Sequence, residues 1–112
     1  MTTMHSFEYY LGKACRRYRR GDLDMSVSEM LAKSHYQTSK SNISLFEQGK
    51  VHSSDMVIAY RDADPSKADI LYHSCEKAFQ EFYHEMRSYQ LKPNMISEAI
   101  SEWRNVITFP TH

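Results

Sequence analysis

The stretch that decides the fold lies at residues 39–50 and reads Ser-Lys-Ser-Asn-Ile-Ser-Leu-Phe-Glu-Gln-Gly-Lys. Ile43 and Phe46 are the large apolar residues predicted to point into the core. They are three positions apart, and this spacing places two side chains on one face of an α-helix. Gly49 can take the left-handed backbone conformation that commonly follows a helix end. The pattern therefore predicts a short helix that begins near Ser39 and is closed by Gly49.

A second helix start precedes this stretch, at Ser26-Val27-Ser28-Glu29. This is a capping box, because the Ser26 hydroxyl can accept from the Glu29 amide while the Glu29 carboxylate reaches back to the Ser26 amide. The box predicts a short helix, and the polar residues 34–38 separate it from the helix near residue 39. Its inward side chains are predicted to be Val27, Met30 and Leu31.

Helical spacing recurs along the rest of the chain, whereas the alternation typical of strands is sparse. Gly21 has the residue type preferred just past a helix end, and Asp64-Pro65 combines a capping aspartate with a proline at the first helical position. The sequence predicts an all-α chain of five to six helices. The further helices are predicted at residues 6–20, 54–61, 65–89 and 93–107.

The charge of the 112-residue chain is balanced overall but not along its length. Residues 1–61 carry nine Lys or Arg and six Asp or Glu, a net charge of +3. Residues 62–112 carry five Lys or Arg and eight Asp or Glu, a net charge of −3. This asymmetry is compatible with a basic binding half joined to a neutral or acidic half.

Several classes of protein are disfavoured by what the sequence lacks. It holds no phosphate-binding glycine loop, nucleophile elbow or paired carboxylates in an apolar setting, so no enzyme is predicted. Its six histidines show no metal-ligand spacing, so neither a metal nor a cofactor is predicted. Cys15 and Cys75 fit buried, reduced thiols. No apolar run approaches the roughly 18–20 residues of a membrane span, and a cytoplasmic protein is expected.

Three segments together carry a resemblance to a known family. Residues 11–20 read Leu-Gly-Lys-Ala-Cys-Arg-Arg-Tyr-Arg-Arg, residues 26–32 read Ser-Val-Ser-Glu-Met-Leu-Ala, and residues 39–50 are quoted above. They resemble the phage-repressor (XRE-type) helix-turn-helix family, and the last segment looks most like the N-terminal domains of Rgg-type transcriptional regulators. The resemblance implies a repressor-like helix-turn-helix DNA-binding domain at residues 1–62, followed by a C-terminal helical extension at residues 63–112.

The resemblance also implies roles for individual residues of the recognition helix near residues 39–47. Ile43, Phe46, Glu47 and Gly49 are predicted to be structural, with Glu47 paired to an arginine such as Arg19. The outward side chains would face the major groove, where a lysine can donate to guanine and a leucine can contact a thymine methyl group. Other polar residues near helix ends would contact phosphates. The predicted DNA-binding residues are Ser39, Lys40, Ser41, Asn42, Ser44, Leu45, Ser28 and Lys50.

The function predicted on this basis is sequence-specific binding of double-stranded DNA by a transcriptional regulator of a bacterium, phage or mobile element. The aromatic residues of the C-terminal half favour a homodimer, although its helices can instead wrap the N-terminal domain. The basic run at residues 16–20 is either a phosphate clamp or a solvated face with one arginine held by Glu47. The alternative function is a protein-binding module on the same scaffold, such as a phage-encoded inhibitor of a host complex.

Overall fold

The fold of residues 7–51 and 54–88 is described by a computed structural model, and within these two ranges the chain forms helices and no strand. The predicted all-α class is therefore confirmed. No helix in the described part of the chain is both long and apolar enough to cross a membrane. The predicted sixth helix, at residues 93–107, lies outside the described residues. The helices are α1 (Phe7–Arg17), a π-helical segment (Tyr18–Asp22), α2 (Val27–Lys33), α3 (Lys40–Glu47), a 3₁₀ turn (Ser54–Met56), α4 (Val57–Ala63), a 3₁₀ turn (Pro65–Lys67) and α5 (Ala68–Ser88).

The end of the first helical segment differs from the prediction. Gly21 does not terminate it, because the helix continues through Gly21 in wider π-helical turns. The residue with the left-handed conformation is Asp24, with φ 52°. Aspartate tolerates this conformation better than most residues because its short polar side chain bonds locally. The amide of Met25 donates to the carbonyl of Arg19 over 3.0 Å, and this bond closes the helix end.

The two local start signals that the sequence predicted are confirmed. The Ser26 Oγ accepts from the Glu29 amide, and the Glu29 carboxylate accepts from the Ser26 amide, each over 3.1 Å. Hydrogen bonds from Ser26 to the carboxylate lower the pKa of Glu29. The Asp64 carboxylate likewise accepts from the Ser66 amide, so Asp64 caps the turn that leads into α5.

A continuous hydrophobic core joins all five α-helices. It contains the predicted inward residues Met30, Ile43 and Phe46, none of which exposes any surface. Val27 and Leu31 are half-buried against the same core, as predicted. Its other fully enclosed large side chains are Leu11, Cys15, Tyr18, Tyr60 and Cys75.

Helix α5 packs along α1 and so does not form a unit separate from the N-terminal helices. Leu71, Cys75 and Phe79 lie in the core shared with α1 to α4. On the same helix, Ala78 and Phe82 form a second cluster with Tyr10 and Ala14 of α1. The first half of the predicted extension thus covers the N-terminal helices. This is the arrangement that the sequence left open as the alternative to a dimer interface.

The two cysteines meet where α1 packs against α5. Both are free and fully buried, which confirms the prediction of buried, reduced thiols. Burial, and then a hydrogen bond with Cys75, raises the pKa of the Cys15 thiol, so little reactive thiolate forms there.

We therefore expect both thiols to react with an aromatic disulfide reagent only after the chain unfolds. The reagent should release its chromophore at least about tenfold more slowly with the native protein than with the protein in urea, because a buried thiol reacts only when the fold opens. Two thiols should be counted in urea. Rapid labelling of the native chain would contradict the burial of this pair.

Candidate nucleic-acid interface

Helix α3 exposes one polar face to solvent. All residues that the sequence predicted to contact DNA are exposed, on α3 itself and at the two flanking positions Ser28 and Lys50. Leu45, the one large apolar residue of this face, is 39% exposed. The exposed residues of α3 and its N-cap are Ser39, Lys40, Ser41, Asn42, Ser44 and Leu45.

Both ends of α3 are fixed by local hydrogen bonds. The Ser39 Oγ accepts from the Asn42 amide over 3.1 Å, which satisfies one of the free amides at the helix start. At the other end, Gly49 has φ 75° and the Lys50 amide donates to the Leu45 carbonyl over 2.9 Å. This is the bond pattern of a glycine-terminated helix, so the predicted role of Gly49 is confirmed.

The buried face of α3 is held in place by Ile43, Phe46 and Glu47. The first two are fully enclosed, and the ring centroid of Phe46 lies 5.9 Å from that of Tyr60 on α4. Glu47 is 8% exposed. The structural roles predicted for these three residues agree with their positions, because each points away from the solvent-exposed face.

Glu47 lies at the centre of a buried hydrogen-bond network. Arg19 donates from Nε and Nη2 to the two Glu47 carboxylate oxygens, each over 2.8 Å, which is a bidentate pair. The Tyr60 hydroxyl donates to Glu47 Oε2 over 2.7 Å, and Arg19 Nη1 donates to the Met25 carbonyl over 2.9 Å. The hydrogen bond with Glu47 raises the pKa of Arg19, and burial raises that of Tyr60. The predicted pairing of Arg19 with Glu47 is confirmed.

A close backbone approach sets the distance between α1 and α3. A Cβ atom on Gly12 would lie 2.2 Å from the Phe46 carbonyl oxygen, and one on Gly49 would lie 2.7 Å from the Cα of Tyr9. Only glycine fits at these two points without a backbone shift. No role for Gly12 was predicted from the sequence, although a glycine inside a helical pattern is a signal of close packing.

The turn between α2 and α3 is tied to α4. The His35 amide donates to Asp62 Oδ2 over 3.2 Å, and the Tyr36 amide donates to Ser34 Oγ over 3.1 Å. These bonds satisfy backbone groups of a turn that has no regular structure. Asp62 was not singled out from the sequence, because no local pattern marks a carboxylate that caps a turn 27 residues away.

The exposed face leaves several hydrogen-bonding groups free for a ligand. Lys40 makes no ion pair with any described residue. The Ser39 and Ser44 oxygens already accept hydrogen bonds, from the Asn42 amide and the Gln48 side chain, but each hydroxyl can still donate. Lys40 and the serines therefore offer mainly donors, which suits acceptor atoms on a base edge or a phosphate.

Comparison with known proteins adds no relative. The chain matches no protein-family model, no curated protein and no solved structure. The resemblance to phage-repressor-type helix-turn-helix proteins therefore stays a prediction. Within residues 7–51 and 54–88, no three His, Cys, Asp or Glu side chains are grouped as a metal site would require.

Proposed function

We propose that this protein binds double-stranded DNA in a sequence-specific manner and regulates transcription in the cytoplasm of a bacterium, on behalf of the cell, a phage or a mobile element. The observation that supports it most is the division of α3 into two faces. One face is locked by Ile43, Phe46 and the bidentate Arg19–Glu47 pair. The other is exposed, polar and carries Lys40. A rigidly held helix with free donors can read base edges with little ordering cost.

In this proposal the N-terminal half of α3 enters the major groove. Lys40 donates to guanine O6 and N7, the serine hydroxyls bond to base edges, and Leu45 contacts a thymine methyl group. Ser28, Asn42 and Lys50 contact phosphates, which position the protein without reading sequence. No cofactor and no catalytic step are needed, since occupancy of the site is itself the regulatory event.

The protein is proposed to act as a homodimer on a palindromic site. Two copies of α3 would then lie about 34 Å apart, one turn of DNA. Sedimentation of the full chain with a duplex carrying two half-sites should give two chains per duplex. A stoichiometry of one chain per duplex would contradict the dimer while leaving DNA binding intact.

Selection from a random duplex pool tests the function directly. The full chain should enrich a short motif, and binding to the selected duplex should weaken with salt at a log–log slope of about −0.9 per phosphate contacted. A scrambled duplex of equal length and composition is the control, and it should bind at least about a thousandfold more weakly. No enrichment over repeated rounds, with equal binding to both duplexes, would refute sequence-specific recognition.

Replacing Lys40 with alanine tests the reading face. We expect the variant to lose about 1–3 kcal/mol of binding free energy on the selected duplex and to tolerate base changes at the guanine it contacts. Lys77→Ala, which removes an exposed lysine from α5, is the matched control and should change neither quantity. Equal losses for Lys40→Ala on selected and scrambled duplexes would reassign Lys40 to a phosphate.

The exposed Leu45 favours a second candidate, a protein-binding module. An apolar side chain 39% exposed on a face with one formal charge is typical of a contact with protein rather than with a polyanion. In that case Leu45→Ser abolishes partner binding, and the duplex selection yields no motif. Retention of the selected motif with weaker binding by Leu45→Ser would instead place Leu45 against DNA.

A further inference from the structure

A row of exposed cations runs along the solvent side of α1 and the π-helical segment. We call it the α1 basic stripe, and its members are Lys13, Arg16, Arg17 and Arg20. All four are exposed, and none of them forms an ion pair with a described residue. Arg19, within the same run, is the exception, because Glu47 holds it inside the fold. The basic run at residues 16–20 thus divides into one structural arginine and three exposed ones.

The stripe borders the end of α3. Tyr9, Gly12 and Arg16 follow each other at helical spacing and so share one side of α1. On that side Gly12 abuts the Phe46 carbonyl, and Tyr9 abuts Gly49, two residues after the end of α3. Lys13 lies beside this row, with its Nζ 5.1 Å from the centre of the Tyr9 ring. The stripe and Lys50, the residue after Gly49, therefore flank the same end of the proposed reading helix.

The chemistry of the stripe suits a phosphate backbone. Four exposed cations on one side of a chain whose net charge is zero form a local positive patch that attracts a polyanion. Arginine pairs with phosphate oxygens through two parallel hydrogen bonds. An anionic membrane surface is the other common polyanion, but helices that lie on membranes expose large apolar residues beside their cations. The exposed large apolar residues in the described chain are Leu45, Ile70 and Tyr72, and none lies on α1.

We propose that the α1 basic stripe binds the phosphates of the duplex beside the segment read by α3, and so supplies sequence-independent affinity. This inference rests on the proposed function, since it assigns a second contact to the same DNA. Arg16 and Arg20 are its principal contacts because they stand four residues apart and continue the row that starts at Gly12. The stripe positions the protein, whereas Lys40 discriminates between bases.

The test compares salt dependence in full-length variants. Arg16→Gln and Arg20→Gln, singly and together, are measured against Lys77→Gln on the selected and scrambled duplexes. Each stripe substitution should lower the salt slope by about 0.9. Between 50 and 200 mM salt, wild type should then lose affinity about threefold more than each single variant and about tenfold more than the double variant. The effect should be equal on both duplexes, and Lys77→Gln should match wild type.

The outcomes separate the stripe from the proposed function. Unchanged slopes in the stripe variants, with Lys40→Ala still relaxing base preference, overturn the stripe alone. If the salt slopes of the stripe variants fall as expected but the duplex selection enriches no motif, sequence-specific reading is overturned and the stripe is supported. Failure of wild type to bind any duplex overturns both. Tighter binding to phosphatidylserine vesicles than to duplex, lost in the double variant, overturns the assignment of the stripe to DNA and transfers it to lipid headgroups.

Discussion

Gly12→Ala is expected to lower the free energy of unfolding by about 3 kcal/mol, the upper end of what one inserted carbon costs in a packed interior. The added Cβ would lie 2.2 Å from the Phe46 carbonyl oxygen and 3.2 Å from the Cα of Glu47. Both are backbone atoms, so no side-chain rotation relieves the clash and α1 must separate from α3. Urea unfolding followed by circular dichroism measures the change.

Gly21→Ala is the matched control for this substitution. Gly21 is exposed, lies in a helical segment and does not have a positive φ, and apart from its own helical backbone and chain neighbours no atom lies within 4 Å of the place its Cβ would take. Alanine restricts the unfolded chain there without a steric cost, so we expect a gain of about 0.4–1 kcal/mol. Equal effects of the two substitutions would show that α1 and α3 do not approach as closely as described.

Glu47→Ala has the second large expected effect, a loss of about 3–5 kcal/mol in the free energy of unfolding. The substitution leaves the Arg19 guanidinium buried without its carboxylate and removes the acceptor of the Tyr60 hydroxyl. Most of the loss comes from the desolvated charge that remains, not from the attraction that is removed. The triple variant Arg19→Met, Glu47→Leu, Tyr60→Phe should therefore recover most of it.

Arg20→Gln is the control for Glu47→Ala, because it removes an exposed charge next to the buried Arg19. Arg20 is exposed and makes no ion pair with a described residue, so its loss should change the free energy of unfolding by no more than about 0.5 kcal/mol. Urea unfolding of Glu47→Ala, the triple variant and Arg20→Gln gives the comparison. Stability of Glu47→Ala within 1 kcal/mol of wild type, on the order of one hydrogen bond, would contradict a desolvated network.

Much of α3 could be predicted because its signals are local. The spacing of Ile43 and Phe46 and the glycine at residue 49 specify which side of the helix is buried and where the helix ends. The Arg19–Glu47 pair was also predicted, but from a family resemblance and not from the spacing of the two residues. Tyr60, the third member of the network, lies in the helix predicted at residues 54–61, but its hydrogen bond to Glu47 was not predicted, because the position of a tyrosine in a helix does not reveal where its hydroxyl will find an acceptor.

The sequence by itself determined the helical class, the capping box at Ser26 and the two-faced character of α3, since each depends on residues within one or two helical turns. Only the tertiary structure decided that the first helical segment continues past Gly21 to Asp22, that Gly12 is a contact point and that α5 completes the core. The last two features join residues far apart in the chain, as does the pair of Arg19 and Glu47, which are separated by 28 residues. Local helix propensity does not specify such long-range contacts. It also leaves alternative helix ends whose free energies differ by only about 1 kcal/mol, and packing of the whole chain selects among them.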